Sequence, residues 1–547
     1  MTTLDYVVIF VFTFLVVLAG ISFGKSGKDM KSYFAAGGAV PWSISGLSLY
    51  MSFFSAGTFV VWGSIAYKMG WVAITIQSLM CLGGFLVAYF IAPKWRKTNV
   101  LTAAEFVRRR LGERTQKLYT IIILILSLAY TGAFLYPVAK IVSVSTNCPI
   151  NACIIGLGLL VLLYTVVGGL WAVIITDVLQ FVILTVVVAI VVILALNNVG
   201  GISGFIAKAP EDFWSLTGGE YSWKFMLAFA VYNTVFIGGN WAYVQRYTSV
   251  KTPKDAKKVG LTFGWLYLVS PLVWMLPPMI YRIINPNLEG GLGAEEAYML
   301  MCKEVLPMGM LGLMLGGMVF ATASSVNTTL NLAASIITND VFKPWKPNAS
   351  DKQLMSVAKI STLLFGLGTI AVALLVPSLG GIVNVVLSVG AVTGCSLYGP
   401  PIWALFSKRI TGRAVLAITL ISLALNILVL LISPLNRANE MLLGAVLPFL
   451  LLGLYEGYLV QKGKKTSLEY KKYQLLQEKN TLVTESNSGQ NEFGLKILGN
   501  TLAAVGFLIV VLAFFGNNSA VLIACMGVLI LVVAALIHPS VKIISKA

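Results

Sequence analysis

Fifteen apolar runs set the terms on which this chain folds. Each is about 20 residues long, enough for a helix to cross the roughly 30 Å hydrocarbon core of a bilayer. They cover 4–24, 43–67, 71–93, 118–146, 150–168, 170–197, 224–246, 258–284, 305–339, 355–377, 380–406, 411–433, 440–460, 496–515 and 518–537. The expected fold class is therefore all-α and polytopic. With 58% hydrophobic and 11% charged residues among 547, little chain is left for a large aqueous domain.

The net charge of +18 is explained by topology. If the N-terminus lies outside, the segments "GKSGKDMK", "KWRK" with "RRRLGERTQK", "QRYTSVKTPKDAKK", "KRITGR" and "QKGKKTSLEYKK" share one face. Most of the 39 Lys and Arg then lie on that side, as cytoplasmic loops require, which predicts N-out and C-in. No nucleic-acid partner is implied. The first run has neither a basic segment nor a small-residue cleavage site ahead of it, and is expected to be a retained span.

Catalytic equipment is missing, so an enzyme is not expected. His538 is the only histidine, which removes HExxH zinc sites and histidine-based triads. "GISFGKSGK" resembles a phosphate loop only superficially, because Ala19 stands where GxxxxGK[ST] needs glycine. Cys148 and Cys153, in "NCPINAC", fall near an external turn; they can be read as a disulfide or, more simply, as two small apolar residues. Residues 461–495 are polar and charged, and read as a partly helical cytoplasmic connector.

The most informative run is also the most polar. In "ATASSVNTTLNLAASIITND", residues 321–340, eleven of twenty residues are polar. On a helix Ser324, Asn327, Thr328, Asn331 and Ser335 fall on one face, with Ser325 at its edge. Such a stripe either packs against other helices or lines a site for a hard cation, which takes carbonyl, hydroxyl and carboxylate oxygens. Asp177, inside the apolar "GGLWAVIITDVLQFVIL", adds weight to the second reading, since an ionisable residue within a span marks a functional site by default.

Two further spans look interrupted. "SLYMSFFSAGTFVVWGS" carries Ser52, Ser55, Gly57 and Thr58 mid-span, and "AVYNTVFIGGNWAYVQRY" carries Asn233, Thr234, Gly238, Gly239 and Asn240. Unwound backbone at matching positions of two chain halves points to a transporter site near the midplane. The expected organisation is an N-terminal helix and loop (1–42), a five-span repeat (43–197) and its inverted partner (224–406). Additional helices (411–460), the polar connector (461–495) and a C-terminal helical pair with tail (496–547) follow.

These residues resemble the sodium:solute symporter family, which includes sodium/galactose, sodium/proline and sodium/sialic acid carriers. The resemblance rests on "GLSLYMSFFSAGTF", "YTVVGGLWAVIITDVLQ", "NWAYVQRYTSVKTPKDAKK" and "MVFATASSVNTTLNLAASIITNDVFK", and runs over about residues 1–460. It implies a LeuT-like inverted repeat of five plus five helices, with one extra helix before it and about four after. It also implies a main sodium site of Met51, Phe54 and Ala321 carbonyls with Ser324 and Ser325 hydroxyls. A second sodium would involve Asp177, Ser324 and Thr328, with Asn327 where the family has serine. Solute-lining positions fall on Phe53, Ser55, Thr58, Gln77, Tyr130 and Asn233, and Phe236 falls at the aromatic inner gate.

Departures from the family bear on the solute. Gln77 replaces an acidic sugar-binding residue of the galactose carrier, as in the sialic acid carriers, yet Tyr130 stands where those have an arginine for the carboxylate. Lys140 is another cation on that helix, about three turns away. The expected function is sodium-driven import of a small polar solute by alternating access. A sugar or sugar derivative, sialic acid included, fits best, and sodium is the only expected cofactor. The alternatives are a symporter for an amino acid or other organic solute, and a solute sensor built on a symporter-like domain. The expected partners are solute, sodium and the lipid bilayer of a plasma or bacterial inner membrane; nothing in the sequence sets an oligomeric state.

Overall fold

The computed structural model describes residues 1–22, 40–100, 102–288, 293–376, 382–432, 435–479 and 488–544. The basic loop "GKSGKDMK", the first residues of the 380–406 run and part of the connector lie outside the described residues. Among those described, long helices follow one another with no strand, only two isolated bridges.

In chain order the helices are α1 (Thr3–Ser22), α2 (Trp42–Phe53), α3 (Thr58–Met69), α4 (Trp71–Lys97), α5 (Ala103–Leu111), α6 (Glu113–Thr146) and α7 (Ile150–Val199). They continue with α8 (Trp223–Gly239), α9 (Trp241–Thr248), α10 (Pro253–Ile284), α11 (Gly293–Val305), α12 (Met310–Ile336), α13 (Asp351–Leu375) and α14 (Ile382–Phe406). The last five are α15 (Gly412–Ile432), α16 (Arg437–Gln461), α17 (Leu468–Lys479), α18 (Ser488–Leu512) and α19 (Ala520–Ile544).

Eleven described helices are long and apolar enough to cross a membrane, and two bent pairs raise the number to thirteen. The other two runs, 150–168 and 380–406, are helical within α7 and α14. The runs 150–168 and 170–197 lie in a single helical element of 50 residues, with Ile150–Leu163 and Val173–Val199 as its apolar stretches. One intervening residue is too short to make a helix-to-helix connection. The two ends of α7 nonetheless keep different company. Gly158 and Leu162 pack on Ile370 and Gly366 of α13, whereas Leu184 packs on Gly317 of α12.

The bent pairs are the two spans that the sequence marks as interrupted. The α2–α3 pair bends by 60° and the α8–α9 pair by 59°. After Phe53 the backbone turns extended at Phe54 (φ −90°, ψ 117°), and Asn240 does the same after Gly239 (φ −62°, ψ 124°). Asn240 then caps α9, its Oδ1 accepting from Ala242 N at 3.0 Å.

Helix α12 continues through a π-helical turn to Trp345 and lies at the centre of the bundle. The apolar window of Met310–Trp345 is 100% buried, against 22% for Asn517–Ile537 at the periphery. Without a hydrophobic force between helices in lipid, small residues that permit close approach hold such a helix in place. A Cβ on Gly312 would stand 2.2 Å from the Asp5 carbonyl oxygen, and one on Gly316 would stand 2.6 Å from the Phe12 ring. Asp5 is itself buried and accepts from Gly309 N at 2.8 Å and Gly312 N at 3.1 Å. A carboxylate thus satisfies the free amides at the α12 N-terminus and fixes α1 against it.

Candidate ion and solute sites

Ser324 and Ser325 are buried neighbours on α12, and they serve different polar centres. Successive helical residues point about 100° apart. The stripe that the sequence shows as continuous is therefore divided by its surroundings.

The first centre is the break between α2 and α3. Ser325 Oγ donates to the Ser52 carbonyl at 3.1 Å, and Ala56 N donates to Thr322 Oγ1 at 2.7 Å. Residues one turn apart on α12 thus stitch the break to the central helix. Within the break, Phe54 N donates to the Met51 carbonyl at 3.1 Å and Thr58 N to the Ser55 carbonyl at 2.8 Å. Ser55 and Thr58 are occupied in that turn: Ser55 N donates to Thr58 Oγ1 at 3.3 Å, and Gly57 N to Ser55 Oγ at 3.2 Å. Met51, Phe54 and Ala321 are all buried. Each carbonyl oxygen has two lone pairs, so one engaged in the helix retains capacity for an ion. Uncharged hydroxyl and carbonyl oxygens of this kind suit a hard monovalent cation. Among the described residues no group of three or more His, Cys, Asp or Glu side chains forms a cluster for another metal.

The second centre is built round Asp177 of α7, which is fully buried. Ser324 Oγ and Ser48 Oγ donate to its two carboxylate oxygens. Arg246 of α9, also fully buried, places Nη2 3.6 Å from Asp177 Oδ2. The same guanidinium donates to Thr328 Oγ1 at 2.8 Å, to Ser48 Oγ at 3.2 Å and to the Ala242 carbonyl at 3.3 Å. Asp177, Ser324 and Thr328 are therefore joined in one network, while Asn327 is fully buried on the same helix. A cation entering here would share the carboxylate with an arginine. Farther along, Ser335 Oγ donates to the Leu332 carbonyl of its own helix, the ordinary structural use of a hydroxyl.

The sequence reading missed Arg246 and Ser48. Arg246 falls both at the end of the 224–246 run and at the start of a basic loop; it follows the α8–α9 break by only six residues and lies within the bundle. Its signal is the rule applied to Asp177, that a charge inside a span marks a site. Ser48 was legible with Ser45 and Ser52 as a hydroxyl face of α2.

Beside the first break lies a cavity lined by Phe53, Trp62, Gln77, Met80, Tyr130, Phe134, Phe229, Tyr232, Asn233, Phe236, Tyr267, Gly390 and Met441. Five of the seven solute positions drawn from the family pattern are among them; Ser55 and Thr58 are not. Phe236 is the hub of the aromatic wall, with ring centroids of Phe53, Tyr130, Tyr232, Tyr243 and Tyr398 at 5.9, 6.2, 5.5, 5.6 and 5.7 Å. Polar groups are few. Tyr130 OH pairs with Thr393 Oγ1 at 2.9 Å, Asn233 Nδ2 donates to the Phe229 carbonyl at 2.9 Å, and among the described residues the buried Gln77 Nε2 has no hydrogen-bond partner. Among the described residues no Asp, Glu, Lys or Arg lines this cavity. Lys140 is engaged elsewhere, 3.3 Å from Glu296 of α11. Cys148 and Cys153 are free thiols, the Cys153 Sγ directed at the Cys148 carbonyl at 3.9 Å.

Residues 33–422 match the model of the sodium:solute symporter family. The sodium/sialic acid symporter SiaT of Proteus mirabilis is 27% identical over 66% of this chain and 76% of its own length. The sodium/glucose cotransporter of Vibrio parahaemolyticus is 26% identical over 74% of this chain and 80% of its own. A solved structure of a Na+-coupled sialic acid symporter, substrate-bound and outward-open, superposes with a TM-score of 0.71 at 23% identity, covering 82% of this chain and 97% of that one. The last likeness concerns the fold. Near-equal identity to carriers of different solutes does not choose between their substrates.

Proposed function

The chain belongs to the sodium:solute symporter family, and from that premise we propose that it carries a neutral sugar or sugar derivative together with sodium. The observation behind this reading is the cavity, aromatic on several sides and uncharged among the described residues, in which the buried Gln77 Nε2 finds no partner among them. A buried donor left unpaired costs on the order of 1–3 kcal/mol, so a hydroxylated solute that accepts from it recovers that amount on binding. Aromatic rings suit the C–H faces of a sugar ring, and the Asn233 carboxamide and Tyr130 hydroxyl supply further polar contacts. A carboxylate would find no Lys or Arg among the described residues of the lining. That disfavours an acidic sugar, for which a bidentate arginine is the fitting partner.

The main sodium would be held by Met51, Phe54 and Ala321 carbonyls with the Ser325 hydroxyl, and Ser324 would join them only by leaving Asp177. The ion would tie α12 to the α2–α3 break, which abuts the cavity through Phe53. Ion and solute then each raise the other's affinity by one factor, which is the thermodynamic content of coupling. Asp177, Ser324, Thr328 and Asn327 form the candidate second sodium site, with Arg246 already supplying a positive charge there. An outside N-terminus and a cytoplasmic connector complete the reading.

The test is thermal unfolding of the purified protein with neutral sugars, acidic sugars, amino acids and polyols, each in sodium and in potassium. Only a solute that binds the folded state raises the midpoint. Stabilisation by a neutral sugar in sodium alone is the expected result. Stabilisation by acidic sugars only would overturn the neutral assignment, and binding without sodium-driven flux in proteoliposomes would favour a sensor.

A further inference from the structure

The connector between α16 and α18 contains a helix with two unlike faces. One face of α17 is docked on the protein. Tyr473 is 7% exposed with its ring 6.0 Å from that of Phe106, and the Arg110 guanidinium lies 5.0 Å over the Tyr470 ring. Glu469 Oε2 accepts from Gly412 N at 2.6 Å, and Gln477 Nε2 donates to the Lys97 carbonyl at 3.3 Å. Lys97 ends α4, Gly412 begins α15, and α5 links α4 to α6. The helix therefore lies at the level where spans leave the hydrocarbon.

Among the described residues the opposite face has no protein partner to explain its composition. Leu468, Leu475 and Leu476 are 77%, 60% and 44% exposed, and the exposed Lys471 and Lys472 stand between them one helical turn on. The link that precedes the helix exposes Lys462, Lys464 and Lys465. Glu469 is turned inward onto Gly412, so the exposed Glu478, near the end of the helix, is the acid that faces these lysines and offsets one of their charges. Leucines and lysines sharing one face at the depth of the span ends form the pattern of a helix lying in a membrane interface. There the leucines enter the acyl boundary and the lysines meet headgroups.

We propose that this outer face of α17 is a docking surface for the anionic phospholipid headgroups of the adjoining leaflet. The occupant follows from charge complementarity: five exposed lysines on the face and its approach select negative headgroups, and the three leucines require apolar depth beside them. The proposal does not depend on which solute is carried.

Leu475→Cys carries a spin label in full-length protein whose two exposed cysteines, Cys148 and Cys525, are replaced by serine. The labelled protein is placed in nanodiscs of phosphatidylcholine, with or without phosphatidylglycerol. Collision with oxygen reports acyl depth, and collision with a soluble nickel chelate reports water. Phosphatidylglycerol is expected to shift the label from nickel-dominated to oxygen-dominated collisions. Lys471→Glu with Lys472→Glu is expected to abolish that shift, and the milder Lys471→Gln with Lys472→Gln to reduce it. Both lysines are exposed, so an unchanged unfolding midpoint serves as the folding control. A label accessible to nickel in both lipids overturns the proposal. So does one shielded in both regardless of the lysine variants, which would show burial without recognition of anionic lipid.

Discussion

Two polar centres share the central helix and differ in what holds them together. Around Ser325 every named group is neutral: the Ser52 carbonyl, the Thr322 hydroxyl and the unwound backbone of residues 54–55. Around Ser324 a buried carboxylate and a buried guanidinium face each other with two hydroxyls on the carboxylate. Among the described residues the neutral centre has no internal cation, and the spare capacity of its carbonyl and hydroxyl oxygens is for an ion to use. The charged centre already carries its own counter-charge and is cohesive with the protein groups alone. Hydroxyls on one stripe thus belong either to an ion-dependent contact or to a permanent one, and the neighbouring helix decides which.

The sharpest way to break this contrast is Asp177→Asn. Removing one partner of a buried pair leaves Arg246 uncompensated, at a cost of about 3–5 kcal/mol. The expected result is a large loss of folded protein and of unfolding midpoint. The double variant Asp177→Asn with Arg246→Gln should recover part of that loss, because neither charge is then stranded. A single variant of normal stability whose sodium dependence becomes less steep would instead make Asp177 chiefly an ion ligand.

Next in size is Gln77→Leu. It removes the donor that the cavity leaves unpaired, and solute affinity should fall roughly tenfold or more, equivalent to about 1.4 kcal/mol. Sodium binding measured without solute should be unaltered. A parallel loss of sodium affinity in calorimetry would place Gln77 in the ion-dependent network rather than in the solute cavity.

Ser325→Ala tests the neutral centre directly. The sodium concentration for half-maximal uptake is expected to rise roughly fivefold to tenfold, the equivalent of one hydroxyl ligand at about 1 kcal/mol, while the protein folds normally. Unchanged sodium dependence in proteoliposomes would take Ser325 out of the ion site. The smallest effect is expected at Thr328→Val, which removes one hydrogen bond from Arg246 and costs about 1 kcal/mol of stability. A sodium effect larger than that of Ser325→Ala would reverse the ranking of the two centres.

Much of this was readable in order along the chain. The interrupted spans announce themselves through Gly57 and through Gly238 with Gly239 beside polar residues, and both are bent in the structure by nearly the same angle. The stripe is legible because hydroxyls and amides recur at helical spacing where lipid tolerates neither. Arg246 was harder to see because a basic residue six positions past a break resembles the start of a cytoplasmic loop. Ser55 and Thr58 carry the right chemistry for a solute, yet their hydroxyls close the turn in which they sit. Spacing cannot show that a hydroxyl is already engaged by its own backbone.

The sequence by itself determined a helical membrane bundle, the two broken spans, the central polar helix and one intramembrane carboxylate, because bilayer thickness and the 3.6-residue period act on local composition. Only the tertiary structure decided that adjacent serines part company, that Arg246 meets Asp177 across 69 positions of sequence, and that Lys140 turns to Glu296 rather than to the cavity. Those outcomes depend on which helices are neighbours and on the roughly 100° between successive side chains. No pattern along one segment records the charge on the helix facing it.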